Sequence, residues 1–367
     1  MADGSGPTAS ERERSRRKWI ERRTSVISRE RLVRLPKAEL HVHLDGSLRA
    51  ATLLELATAA GIALPHADEA RLAGYMAVQD ARDLVDYLKR FDITTAVLQD
   101  AAAIERVAYE LAADAAAENV RYLEVRFSPV LCTRVGLNVE DAIAAAVRGL
   151  VAARRDHRVR AAVIVCALRD LEPPVSEMLA DVAASFARRG VVGFDLAGPE
   201  RGHPAAPHAA AFRRAARAGL GLTVHAGEAV GPASIREAID ACGARRIGHG
   251  TTLIEDATLL RRVRDEGIAV EACITSNVQT RAVASVAEHP AKRMHASGVS
   301  VSLSTDNRLI SGTTLTAEYE RAAGPLAMDW PAIVDLARGA FEAAFLPEAE
   351  RASLLESFDH DVAALQA

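Results

Sequence analysis

The sequence predicts a (β/α)8 barrel of the TIM type with a helical insertion after its first strand. Three observations carry that reading. Eight short β-type runs occur, most of them continuously apolar, as in strands buried on both faces of a parallel sheet. Stretches of helical period alternate with them, and several close on glycine, the residue that most readily caps a helix end. No Gly-x-Gly-x-x-Gly follows the first run, which argues against the competing doubly wound open sheet. A chain of 367 residues suits one large barrel with insertions.

Residues 1–28 are polar and charged, with Glu11-Arg12-Glu13-Arg14-Ser15-Arg16-Arg17-Lys18 at their centre. They read as a flexible N-terminal tail. Without an apolar h-region they do not form a secretory signal. The barrel then occupies 29–367 as a single domain. Its strands are expected at 40–44, 120–127, 161–168, 191–196, 222–225, 246–249, 269–274 and 299–304, with helices at 139–154, 176–189, 208–218, 234–241 and 257–266. Gly219, Gly243 and Gly267 stand where helices should end. The stretch from Gly46 to Val120 is far too long for a βα loop. It contains helical patterns at 47–60, 80–91 and 104–118. Part of it is the first barrel helix. The remainder, about 47–100, is a helical cap over the C-terminal mouth, where this fold keeps its active sites.

Composition removes several classes of function. A hydrophobic fraction of 49% with only 4% aromatic residues gives a core of Ala, Val, Leu and Ile. A net charge of −4 argues against a protein held to nucleic acid by phosphate contacts. No apolar run reaches the roughly 18 residues of a membrane span. Cys132, Cys166, Cys242 and Cys273 form no Cys-x-x-Cys and read as buried free thiols. A soluble cytoplasmic protein is expected, without a nucleic-acid or membrane partner.

The chemistry lies at the strand ends. His41 and His43 are two apart on the first strand and so share a face. The fourth strand ends in Asp195-Leu196-Ala197-Gly198, the fifth in His225-Ala226-Gly227-Glu228, the sixth in His249-Gly250 and the eighth in Ser304-Thr305-Asp306-Asn307. Imidazoles from His41, His43 and His225 with the Asp306 carboxylate make a donor set suited to one Zn2+ with a position left for water. His249 would orient or deprotonate that water, and Glu228 would give a proton to the substrate.

The motifs His41-Val42-His43-Leu44-Asp45-Gly46-Ser47-Leu48, His225-Ala226-Gly227-Glu228, Ile247-Gly248-His249-Gly250 and Ser304-Thr305-Asp306 resemble those of the adenosine deaminase family, in family order, over about residues 35–345. The resemblance implies a zinc-dependent barrel that converts adenosine and 2'-deoxyadenosine to the inosines with release of ammonia. It makes His41, His43, His225 and Asp306 the metal ligands. It makes Glu228 the proton donor to purine N1, His249 the residue holding the hydroxide, and Asp306 a further contact to the attacking water. The Gly198 backbone N–H matches the contact to purine N3, and His43 and Asp45 the 5'-hydroxyl side.

The chain departs from the family pattern at three places. Asn307 replaces a second aspartate, and its amide still offers a donor to purine N7. Ile274 and Arg281 stand where Pro and Gly are expected. Arg281 reads as a solvated loop residue, or as one facing an acidic substituent. Methylthioadenosine or aminodeoxyfutalosine is therefore an alternative substrate. A two-metal barrel would need a lysine on the fourth strand, and a cytidine-type deaminase Pro-Cys-x-x-Cys; neither is present. A catalytically dead binding or signalling relative would have lost Glu228, His249 or a ligand, and all are kept.

Overall fold

Eight parallel strands pair in the order of the chain: β1 (Lys37–His43), β2 (Val120–Phe127), β3 (Arg160–Leu168), β4 (Val191–Ala197), β5 (Gly221–Ala226), β6 (Arg246–His249), β7 (Ala269–Ala272) and β8 (Val301–Leu303). The structure is a computed structural model and describes residues 27–366. Just beyond β8, Asp306 pairs with β1 and closes the barrel: its N–H donates to the His41 carbonyl (3.0 Å), and its carbonyl accepts from the His43 N–H (2.7 Å). Residues expected at the reaction centre thus also make the last seam of the sheet.

The strands fall where the apolar runs place them. The main difference is at β7, which stops at Ala272 rather than 274. A short helix, Ile274–Gln279, follows it at once. Helices cover the outside as the periodicity requires. Val139–His157 starts on Asn138, whose side chain accepts the Asp141 N–H, and Pro232–Cys242 ends on Gly243 in the left-handed conformation. The N-terminal tail expected over residues 1–28 lies outside the described residues except for Ile27 and Ser28. Ser28 caps the helix Arg29–Arg34.

Between β1 and the helix Ala101–Ala117 stand four helices: Ala50–Ala60, Glu69–Met76, Leu84–Leu88 and Phe91–Val97. The helix expected over 80–91 is instead shortened to Leu84–Leu88, and the next begins at Phe91, where it should have ended. The shortened helix begins only at Asp83, which accepts the Asp86 N–H at 2.9 Å and caps it. Glu69–Met76 has no counterpart in the sequence reading. All four cysteines are buried and free. Among the described residues no helix is long and apolar enough to cross a membrane.

The barrel interior carries charge. Phe345 plugs the N-terminal end, so close to Gly221 that a Cβ there would lie 2.2 Å from its ring. Arg246 stacks on Phe345 at 3.5 Å, pairs with Glu124, and stands 2.7 Å from Glu271 Oε1. One layer higher, Arg126 donates to Asp195 (2.9 Å), to Glu271 (2.8 Å) and to the Leu40 carbonyl (2.6 Å). These side chains are wholly or almost wholly buried. Each charge therefore depends on its partners, because burial without them is costly.

Candidate active site

The charged layer supports a cluster of imidazoles at the C-terminal mouth. His41 and His43 project from the same face of β1. His41 Nδ1 lies 2.9 Å from Glu271 Oε2, and its Nε2 lies 3.3 Å from Asp306 Oδ1. His43 Nε2 is 3.3 Å from the same oxygen and 3.2 Å from His225 Nε2. His225 Nδ1 is 3.1 Å from Asp195 Oδ2. The His249 ring stands 4.9 Å from that of His41 and 5.1 Å from that of His225. One donor atom each from His41, His225, His249 and Asp306 lies within 4.8 Å of the others. The sequence-predicted ligands and His249 therefore share one small space.

The donor set fits a metal ion. His41 and His225 each give Nδ1–H to a carboxylate, which turns the Nε2 lone pairs inward, the usual outer support of a metal-binding histidine. His41 Nε2 is buried with no hydrogen-bond partner. Burial holds His43, His225 and His249 below the ordinary histidine pKa, so their rings are neutral. His41 differs: burial and Arg126 lower its pKa, but Asp306 and Glu271 outweigh them and raise it. The site thus favours a positive charge at that nitrogen. Burial would raise the Asp306 carboxyl, yet the His41 hydrogen bond and the nearby rings hold it well below the usual range. Three nitrogens and one carboxylate oxygen are typical of zinc. Asp195→Asn should weaken zinc binding about 10- to 100-fold, read by competition against a chelator.

Glu228 is set opposite. Gly227 turns the chain with φ of 70°. The Glu200 carboxylate collects the N–H groups of Gly227, Glu228, Ala229 and Val230 at 2.6–3.1 Å and so fixes the turn. Glu228 Oε1 accepts from Thr280 Oγ1 at 2.9 Å, and Oε2 lies 3.6 Å from His249 Nε2. Burial, aided by the Asp306 charge, raises its pKa to about 8. Burial thus favours the protonated carboxyl at neutral pH. His249 and Asp306 both have positive φ (65° and 60°), a conformation uncommon among residues that carry a side chain.

The other predicted positions gather around this centre. Asp45 is buried with Oδ1 unpartnered, and burial lifts its carboxyl to about 7. Asn307 gives one amide N–H to Tyr87 Oη at 3.0 Å, and its Oδ1 is buried without a partner. Gly198 ends β4 with φ of 97°. Arg281 is exposed, has φ of 63°, and donates to the Ala81 carbonyl at 3.1 Å. That φ explains why glycine is expected there.

Sequence reasoning missed Arg126, Glu271, Tyr87, Asn277, Thr280 and Glu200, and it gave Asp195 no role. A signal existed for some of these. Glu124 and Arg126, two apart, and Glu271 interrupt strands that otherwise read as apolar. Such charges must point at one another inside the barrel.

The comparisons agree with this geometry. The family model described as adenosine deaminase matches residues 36–361. An adenosine deaminase of Lacticaseibacillus casei is 37% identical over 335 residues, covering 90% of this chain and 98% of that protein. One from Mycobacterium sp. (strain JLS) is 38% identical over 351 residues, covering 91% and 96%. A probable adenosine deaminase of Dictyostelium discoideum is 40% identical over 313 residues, 85% of this chain but only 40% of that protein. Among solved structures, adenine deaminase from Arthrobacter aurescens superposes with a TM-score of 0.83 at 29% identity, covering 89% of this chain and 99% of its own. The N6-mAMP deaminase of Arabidopsis superposes with 0.80 at 28%, covering 90% and 99%. With a (β/α)8 barrel, a buried His/Asp cluster at its mouth and a match along nearly the whole barrel, the chain belongs to the adenosine deaminase family of hydrolases.

Proposed function

We propose that the chain hydrolyses adenosine and 2'-deoxyadenosine to inosine and 2'-deoxyinosine, releasing ammonia, with one zinc ion bound. The observation that carries this reading is the buried Glu228 carboxyl, 3.6 Å from His249 at the imidazole cluster, where burial favours its protonated form. His41, His43, His225 and Asp306 would hold the ion. When bound, zinc would act as a Lewis acid and bring the pKa of a coordinated water from nearly 16 to about 7.

The chain's own residues supply the rest. Glu228 donates its proton to purine N1, which makes C6 electron-poor. His249 and Asp306 hold the attacking water. As the water oxygen bonds to C6, the Asp306 carboxylate takes one of its protons and passes it to the amine; the C6–N bond then breaks, ammonia leaves, and the remaining hydroxyl proton returns to Glu228 as C6=O forms. Glu271 and Asp195 keep His41 and His225 oriented throughout. The Gly198 N–H meets N3, and the second Asn307 amide N–H meets N7. His43 and Asp45 take the 5'-hydroxyl. The helices of the cap, through Tyr87 and Phe91, keep bulk water out and so strengthen each electrostatic contact. We assign the enzyme to purine nucleoside metabolism in the cytoplasm.

The likeness to adenine and N6-mAMP deaminases favours a second reading, in which another 6-aminopurine is the preferred substrate. Asp45 argues for the nucleoside: its buried carboxyl can hydrogen-bond a neutral 5'-hydroxyl and offers no positive charge to a 5'-phosphate. A panel of adenosine, 2'-deoxyadenosine, adenine, N6-methyl-AMP, methylthioadenosine and aminodeoxyfutalosine decides between them. Adenosine and 2'-deoxyadenosine should lead in kcat/KM, with adenine and N6-methyl-AMP about a hundredfold or more behind. A higher value for any other member reassigns the substrate.

A further inference from the structure

We propose that His289 and Asn277 are positioning residues that fix His249 as the tautomer carrying its proton on Nε2. The chain of reasoning starts from a backbone amide, which can only donate. The Ala291 N–H points at His289 Nδ1 from 3.2 Å, so that nitrogen is an acceptor. Burial holds this ring neutral, with a pKa of about 3, so its proton is on Nε2. His289 Nε2 lies 3.0 Å from Asn277 Oδ1 and donates to it. The Asn277 amide nitrogen is therefore turned the other way. It lies 2.9 Å from His249 Nδ1 and donates to it. That ring nitrogen is then an acceptor, and neutral His249 must carry its proton on Nε2. His249, Asn277 and His289 are all buried, so water does not compete along the relay.

This assignment separates His249 from the other imidazoles around it. His41 and His225 give their Nδ1 protons to carboxylates and turn Nε2 lone pairs inward. His249 accepts a hydrogen bond at Nδ1 and turns an N–H inward. It cannot ligate a metal through Nε2, although its atoms lie in the same close cluster. Nor can it take a proton from water there. It is a hydrogen-bond donor to the attacking oxygen, so of the two roles the sequence allowed it, orienting water is the one it keeps. The catalytic consequence rests on the proposed deaminase function, whereas the tautomer itself does not.

The test is ring 15N–1H correlation on the full chain labelled with [15N]histidine, zinc-loaded and zinc-free, with the His249 signals assigned by their loss in His249→Gln. The expected result is a protonated Nε2 and an unprotonated Nδ1 at His249 in both forms. In Asn277→Asp the new carboxylate accepts from both neighbours, so the His249 proton should move to Nδ1. Zinc content should be kept, and kcat for adenosine should fall about a hundredfold or more, the kind of loss a wrong tautomer causes, with KM within about threefold. A protonated Nδ1 in the unaltered protein overturns the proposal, and so does an unchanged ring pattern in Asn277→Asp. If the ring pattern is as expected but the unaltered enzyme does not deaminate adenosine, the tautomer assignment stands and the substrate reading fails.

Discussion

Glu228→Gln keeps its fold and its zinc but loses about 10²- to 10⁴-fold in kcat, the range expected when a positioned proton donor is removed. The amide is nearly isosteric with the acid, can still accept from Thr280, and can hydrogen-bond purine N1. It cannot transfer a proton to it. The pH profile gives the same residue a second signature. In the native chain the working form of Glu228 is the protonated one, and burial together with Asp306 sets its pKa at about 8. Turnover should therefore hold below that value and fall as pH rises through it, by about tenfold per unit well above it. In Glu228→Gln that alkaline limb should vanish from the residual rate. Steady-state kinetics from pH 6 to 10, with zinc content measured alongside, checks both. Full activity in the variant removes Glu228 from its role.

Arg126→Met should cost about 3–5 kcal/mol of stability, because it strands buried charge without its partner. The methionine fills much of the same volume, so lost packing contributes little. Asp195 keeps His225, the Leu196 N–H and the Cys166 thiol, and Glu271 keeps Arg246, His41 and the Thr223 hydroxyl, but each loses a buried cation. Both carboxyls are held below the usual range in the native chain. Burial would raise them, but His225 and Arg126 outweigh it at Asp195, and Arg126 and Arg246 at Glu271. A depressed carboxyl contributes stability above its unfolded pKa and loses it as pH falls through the folded value. The loss in Arg126→Met should therefore be larger at pH 7 than at about pH 3, below the usual carboxylate range, where these contributions fade. Urea unfolding of metal-free protein at the two pH values measures it. A change below 1 kcal/mol at pH 7 would show that the pairs are not what holds this layer together.

Much of this was legible before any coordinates. Strands buried on both faces are written as apolar runs, and a residue placed just past such a run lies at the barrel mouth. That is why His41, His225, His249 and Asp306 could be grouped from spacing alone. The cap was legible as an overlong connection, but its helices were not. Asp83 restarts the chain inside what reads as one helix, and Glu69–Met76 has a weak apolar face of two buried residues, Leu72 and Met76. The second layer of the site was the harder part. Glu271 touches His41, and Asp195 touches His225, only because the barrel turns β7 and β1 toward one interior and lays β4 beside β5. Nothing local to either residue specifies that meeting. Asn277 and His289 are of the same kind: twelve residues apart, each needs the other and a backbone amide to acquire a direction.

The most direct test of the account is zinc titration of metal-free protein with adenosine as substrate, following inosine and ammonia together. The account predicts one ammonia per inosine, and activity that rises linearly and levels off at one zinc per chain. Fully loaded protein that releases no ammonia from adenosine, or activity unchanged by removing the metal, would contradict it.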